Sequence, residues 1–136
     1  MLYFSANDGQ TDKELWRSDG TEAGTWMVKD INTGASGTFP YYYFALHEDR
    51  LYFTAKYQLW ATDGTEAGTV LVSDFVKPYA KASCNGYLLF IGEGSFLNNE
   101  LWRSDGTGAG TVIVKEIDPV LSGIGGCYSL DQESWS

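Results

Sequence analysis

The chain has little of several residue types on which common activities depend. It contains one histidine, His47, and two cysteines, Cys84 and Cys127, in 136 residues. A single histidine excludes a zinc site built from several histidines and gives little support for a catalytic triad. Because acidic residues follow His47 directly, we expect it to lie in an exposed loop. The two cysteines leave open a disulfide or two free thiols.

Basic residues and long apolar runs are also scarce. Nine Lys and Arg stand against 18 Asp and Glu, which gives a net charge of −9. Nucleic-acid binding requires a Lys/Arg surface that displaces phosphate counterions, so this class of partner is disfavoured. No apolar run approaches the roughly 20 residues that span a bilayer, so we expect no membrane insertion. The acidic surface is compatible with cations or neutral glycans, or simply with solubility.

One twelve-residue motif occurs three times in the sequence. Residues 14–25 read ELWRSDGTEAGT, residues 58–69 read QLWATDGTEAGT and residues 100–111 read ELWRSDGTGAGT. Self-similarity at this period indicates a repeat architecture, which we treat as a single repeat domain over residues 1–136. A motif present in every copy favours a structural role over a catalytic one, because an enzyme needs one asymmetric site.

Each copy of the motif lies among short apolar segments with strand character. A turn with Asp-Gly separates two strands in each copy, since glycine adopts positive φ at little cost. Asn85-Gly86 predicts a second tight turn. The predicted strands are 2–6, 51–55 and 88–92, then 14–18 and its two copies, then 25–31, 69–75 and 111–117, and last those near 41–46, 79–83 and 128–132. Four strands at this period predict an all-β fold of three four-stranded antiparallel propeller-type blades.

The strand of the repeat at which the chain begins affects how such blades can close into a ring. Residues 126–136 align with residues 40–50, so the chain begins at the second strand of a unit and ends near the first strand of another. Known propellers have about four to eight blades. We therefore expect three blades to be either part of a larger propeller or half of a six-bladed ring formed by two chains through self-association.

The motif ELW-x-(S/T)-DGT-x-AGT, the LYF-type strands and the segments VKDI at 28–31 and VKEI at 114–117 resemble the ELWxxDGT repeat family of bacterial proteins. The resemblance covers nearly the whole chain. It implies a β-propeller-like fold, an extracellular or cell-surface location and no defined enzymatic activity or catalytic residues. The sequence departs from the family at Gln58, where Glu is usual, and at Gly108, where an acidic or polar residue is more typical.

Two aromatic columns and one acidic column are the candidate site residues. The aromatic columns are Trp16, Trp60 and Trp102, and Tyr42, Tyr79 and Tyr128. Both columns are candidate ligand-binding residues. For the tryptophans, filling of the space between neighbouring blades is favoured over a ligand-stacking surface. The tyrosine hydroxyls would line the central channel if their strand is innermost. The acidic column consists of Asp19, Asp63 and Asp105. It leaves open a Ca²⁺ site, but Ca²⁺ takes about six to eight oxygen ligands, so the alternative is an Asp that caps its own turn.

These observations favour a non-enzymatic extracellular or cell-surface module for binding or adhesion, with a glycan or protein ligand. The first alternative is a purely structural component of an extracellular assembly or filament. A glycoside-acting hydrolase ranks third, because no pair of carboxylates breaks the symmetry of the repeat convincingly. No cofactor is expected apart from the Ca²⁺ left open above.

Overall fold

The computed structural model describes residues 1–31, 41–94 and 99–117. This part of the chain consists of strands and turns and contains no helix. Its strands are β1 Leu2–Ala6, β2 Glu14–Ser18, β3 Thr25–Lys29, β4 Tyr41–His47, β5 Arg50–Ala55, β6 Gln58–Thr62, β7 Val70–Ser73, β8 Lys77–Cys84, β9 Tyr87–Glu93, β10 Asn99–Ser104 and β11 Val112–Lys115. The all-β, antiparallel prediction is confirmed.

The strands form three sheets of consecutive strands. The first sheet has the order β1-β2-β3, the second β4-β5-β6-β7 and the third β8-β9-β10-β11. Strands β4 and β8 form hairpins with β5 and β9, so each opens a sheet, as the phase of the repeat predicts. Within the described ranges the three sheets close into neither a barrel nor a propeller. The strand predicted near 128–132 lies outside the described residues.

Two of the hairpins turn through residues with positive φ. Asn85 and Gly86 have φ values of 50° and 78°, and Lys56 and Tyr57 have 51° and 57°. Positive φ at both central residues is the type I′ geometry, whose twist matches that of the flanking strands. The tight turn predicted from Asn-Gly is therefore confirmed.

A β-bulge recurs at one place in every sheet. The register shifts between the Leu and the Trp of the motif, so that Val28, Val72 and Val114 are the extra residues of the third strands. These strands are shorter than predicted and end at Lys29, Ser73 and Lys115. Beyond the ladder, the Glu14 and Glu100 carboxylates accept hydrogen bonds from the backbone N–H groups of Ile31 and Ile117, at 3.1 and 2.7 Å.

The sheets pack face to face and enclose two apolar cores. The core between the first and second sheets contains Leu15, Val28, Ile31, Phe53 and Ala55, with Tyr3, Phe44 and Trp60 against it. The core between the second and third sheets contains Ala45, Tyr52, Leu59, Ala61, Val72, Val76, Leu88 and Phe90, with Trp102 against it. Because equivalent positions fill both cores, one packing arrangement is used twice.

The prediction that His47 lies in an exposed loop is wrong. His47 is the last residue of β4 and is only 4% exposed. Its Nδ1 lies 2.8 Å from Ser83 Oγ, and its ring packs 6.0 Å from that of Tyr52. The acidic residues after His47 do form the turn, but β8 packs against β4 and covers the histidine.

Candidate functional site

The turn of each repeated motif is held by side-chain hydrogen bonds within the turn. In the second repeat, Asp63 Oδ1 accepts hydrogen bonds from the Thr65 N–H at 2.9 Å and the Thr65 hydroxyl at 2.6 Å. Thr65 Oγ1 in turn accepts a hydrogen bond from the Gly68 N–H at 2.9 Å. The first and third repeats make the same bonds. This is an Asx turn extended by one threonine.

Two hydroxyl groups form a hydrogen bond between the residues that flank the same turn. In the second repeat, Thr69 Oγ1 donates to the Thr65 carbonyl at 2.6 Å and lies 2.7 Å from Thr62 Oγ1. Thr62 Oγ1 also accepts a hydrogen bond from the Gly64 N–H at 2.9 Å. The Asp, Ser and Thr side chains that recur at the turn of the motif thus have partners inside their own turn.

The second glycine of the motif is required by the aspartate. A Cβ atom on Gly68 would lie 2.0 Å from Asp63 Oδ1, and the equivalent distances for Gly24 and Gly110 are both 1.9 Å. None of these three glycines has a positive φ, so the constraint is one of space. The recurrence of DGTxxGT therefore follows from packing within the turn.

The same hydrogen bonds affect the acidic column. The Thr65 hydroxyl and N–H lower the pKa of Asp63, and the equivalent threonines lower the pKa of Asp19 and Asp105. Each of the three aspartates lies in a separate turn. The described ranges contain no group of three or more His, Cys, Asp or Glu that could hold a metal. A Ca²⁺ site at these aspartates stays a prediction.

The tryptophan column lies half-buried along the sheets. Trp16 and Trp102 each donate from Nε1 to a carbonyl of the neighbouring strand, Ala6 and Gly92 respectively, both at 3.1 Å. Trp60 Nε1 is buried without a hydrogen-bond partner. Trp60 and Trp102 pack against the two inter-sheet cores. These positions suit filling between sheets, and a ligand-stacking role for them remains a prediction.

The tyrosine column is described at one side chain. Tyr79 lies on β8, is 36% exposed and donates its hydroxyl to Glu93 Oε2 at 3.3 Å. Partial burial, ahead of the nearby Glu93 charge, raises the pKa of Tyr79. Tyr42 lies on β4, but its side chain is outside the described part, as is the whole of Tyr128.

Tyr79 belongs to a small exposed cluster that the sequence interpretation missed. The Tyr57 ring is 55% exposed and lies 5.7 Å from Lys77 Nζ, which pairs with Glu93 Oε1 at 3.1 Å. The hydrogen bond to Glu93 raises the pKa of Lys77. We call Tyr57, Lys77, Tyr79 and Glu93 the aromatic–ionic cluster.

A signal for this cluster was present in the sequence. The first and third repeats have seven residues between their first two predicted strands, whereas the second has only Lys56 and Tyr57. The short turn places the Tyr57 ring beside β8 and β9. A local difference between the repeats thus marks this cluster.

A second set of polar groups lies at the contact between β4 and β8. Besides the His47–Ser83 pair, Lys81 is buried and donates from Nζ to Thr54 Oγ1 at 2.7 Å and to the Tyr79 carbonyl at 3.1 Å. A serine next to a histidine is one part of a catalytic site in which the histidine activates the serine as a nucleophile. Such a site also needs a third group that orients the histidine. The described residues show no carboxylate bonded to His47.

No helix of the described residues is long and apolar enough to cross a membrane. Comparisons with protein-family models, with curated proteins and with solved structures found no match for this chain.

Proposed function

We propose that the chain is a non-enzymatic, propeller-type repeat module of an extracellular or cell-surface protein, and that its aromatic–ionic cluster binds a carbohydrate. The observation that carries the proposal is the exposed cluster itself. Two tyrosine rings provide apolar faces for sugar C–H groups, and the Lys77–Glu93 pair provides a donor and an acceptor for hydroxyl groups. A few polar groups beside an aromatic surface are typical of small-ligand sites.

Features of the whole chain support the proposed fold, the proposed location and a neutral ligand. The ELWxxDGT resemblance implies surface-attached bacterial proteins with propeller-like folds. The three stacked sheets are compatible with blades, and the net charge of −9 favours a neutral ligand over an anionic one.

A glycan array with the full chain tests ligand binding. The decisive variant is Tyr57→Gly. Because Tyr57 has a φ of 57°, glycine accepts this backbone without strain and the variant removes only the ring. We expect Tyr57→Gly to weaken binding of any captured glycan about tenfold or more, as for an aromatic anchor.

The matched control is Trp26→Ala, which removes an exposed aromatic from the first sheet, where Trp26 is 42% exposed. This variant should bind as the unaltered chain does. An array without a captured glycan, or full binding by Tyr57→Gly, contradicts the carbohydrate proposal.

A purely structural component of an extracellular assembly is the second candidate. The observation that favours it is that the repeated Asp and Thr side chains of the motif turns bond within those turns. A chain that captures no glycan but assembles with other copies would fit this candidate.

A further inference from the structure

The outer face of the third sheet repeats a set of residues that docks one sheet on another inside this chain. Leu101, Arg103, Val114 and Lys115 of the third sheet match Leu15, Arg17, Val28 and Lys29 of the first sheet in type and in position within the repeat. The role of the first-sheet set is visible in the structure.

The first-sheet set holds the second sheet by apolar packing and by two donors. Leu15 and Val28 are 1% and 2% exposed in the core between these sheets. Arg17 Nη1 donates to the Gly64 carbonyl at 3.0 Å, and Lys29 Nζ donates to the Thr69 carbonyl at 3.2 Å. The two cations thus bind the two ends of the motif turn of the second sheet.

Three of the four equivalent residues of the third sheet are exposed, and Leu101 is half-buried. Val114 is 48% exposed, against 2% for Val28. Arg103 and Lys115 are also exposed. The Arg103 guanidinium lies 4.7 Å from the centre of the Tyr87 ring of β9, whereas that of Arg17 lies 4.6 Å from the centre of the Trp26 ring of β3. Each arginine thus lies against an aromatic ring of an adjacent strand, but on opposite sides of its own strand.

The complementary half of this interface lies uncovered on the first sheet. Leu2 is 63% exposed, whereas its equivalent Leu88 is 0% exposed in the core between the second and third sheets. A Cβ on Gly20 would meet no atom within 4 Å, whereas one on Gly64 would lie 2.4 Å from Arg17 Nη1. The first motif turn thus lacks the neighbour that covers the second.

We propose that the outer face of the third sheet of one chain docks on the outer face of the first sheet of a second copy. Arg103 and Lys115 then donate to the carbonyls of Gly20 and Thr25, as Arg17 and Lys29 do to the equivalent carbonyls within one chain. The cations also meet a turn that carries Asp19 and Glu22, so the charges are complementary.

The number of sheets favours a pair of chains. Two copies place six sheets in sequence, which lies within the range of about four to eight blades that close a propeller. The contact is head to tail, since the two faces differ, and it closes when the second pair of faces also meets. This inference depends on the stacking of sheets and is independent of carbohydrate binding.

Sedimentation velocity of the full chain over a range of concentrations tests the docking. Each chain is 15.0 kDa, and we expect a species of two chains. Val114→Asp and Leu2→Asp each introduce a charge at a residue that is exposed in the single chain, so each should fold and shift the species to one chain. Val70→Asp is the matched control, because Val70 is 38% exposed on the second sheet, and should leave the pair intact.

Mixing the two interface variants tests the pairing of the faces. The Leu2→Asp chain retains an intact third-sheet face, and the Val114→Asp chain retains an intact first-sheet face. An equal mixture should restore association through one intact interface. A single chain at all concentrations, association that survives both substitutions, or a mixture that stays dissociated would overturn the proposal. A chain that pairs but captures no glycan leaves the docking supported and contradicts only the ligand.

Discussion

At the scale of single residues, the repeated motif shows why certain types recur together. The aspartate of DGT accepts hydrogen bonds from the threonine two positions on, and this places its carboxylate where a side chain on the second glycine would lie. The glycine is therefore coupled to the aspartate. The other glycine of the motif is required for its backbone, since Gly20, Gly64 and Gly106 have φ values of 95°, 94° and 93°.

This coupling predicts non-additive effects on stability. Gly68→Ala alone should lower the free energy of unfolding by about 1–3 kcal/mol, because the added methyl group must displace the Asp63 carboxylate. In a chain that already carries Asp63→Ala, the same glycine substitution should cost clearly less, since the obstructing group is absent. Urea unfolding of the two single variants and the double variant, followed by circular dichroism, measures the interaction. Equal costs in both backgrounds would contradict it.

At the scale of elements, the link between the first two strands of a repeat controls the hydrogen bonding of the tryptophan. Trp16 and Trp102 follow longer loops, and each donates to a carbonyl of the preceding strand. Trp60 follows the two-residue turn at 56–57, and its Nε1 has no partner. A buried donor without a partner costs about 1–3 kcal/mol, so the short turn carries a penalty that the longer loops avoid.

Replacement by phenylalanine should therefore cost less stability at Trp60 than at Trp16 or Trp102. Trp102→Phe removes a hydrogen bond and leaves the Gly92 carbonyl without this donor, whereas Trp60→Phe removes a donor that has no partner. We expect Trp60→Phe to destabilise the chain by about 1 kcal/mol less than Trp102→Phe. Chemical unfolding of both variants checks this difference, with Trp16→Phe as a second case of a bonded tryptophan. A cost for Trp60→Phe that equals or exceeds that of Trp102→Phe would argue against the effect.

The strands and turns were largely predictable from the sequence because they depend on local patterns. The alternation around Leu15 and Trp16, the Asp-Gly turns and the Asn85-Gly86 hairpin each carry their own signal. The burial of His47 was not predictable, because β8 covers it and is far away in sequence. The aromatic–ionic cluster depends in the same way on contacts between a turn and two distant strands. The closure of the sheets into a propeller depends on faces that this structure leaves uncovered, so it stays a prediction.

At the scale of the whole molecule, the junction of the second and third sheets contains a buried lysine. Lys81 lies on β8 and donates to Thr54 Oγ1 of β5, which itself donates to the Pro78 carbonyl at 2.8 Å. Burial lowers the pKa of Lys81 to about 7 from its ordinary 10.5. Since the folded state holds this proton less firmly than the unfolded state, the packing of the two sheets is linked to pH.

The sign of this linkage gives a prediction for global stability. Between about pH 7 and 10.5 the unfolded chain binds more protons at Lys81 than the folded chain, so the free energy of unfolding should rise with pH in this window. At about 1.4 kcal/mol for each unit of pKa, the gain between pH 7 and pH 9 is about 2 kcal/mol. Lys81→Met should abolish this gain, because methionine does not titrate.

Urea unfolding at pH 7, 8 and 9, at one protein concentration, measures the Lys81 effect. Lys77→Met is the matched control: the pKa of Lys77 is raised above 10.5 by Glu93, so its contribution is lost only as pH rises through that higher value. The control should therefore keep the pH dependence of the unaltered chain between pH 7 and 9. If Lys81→Met keeps that dependence as well, the proton is not released at Lys81, and the junction between the sheets does not account for the response to pH.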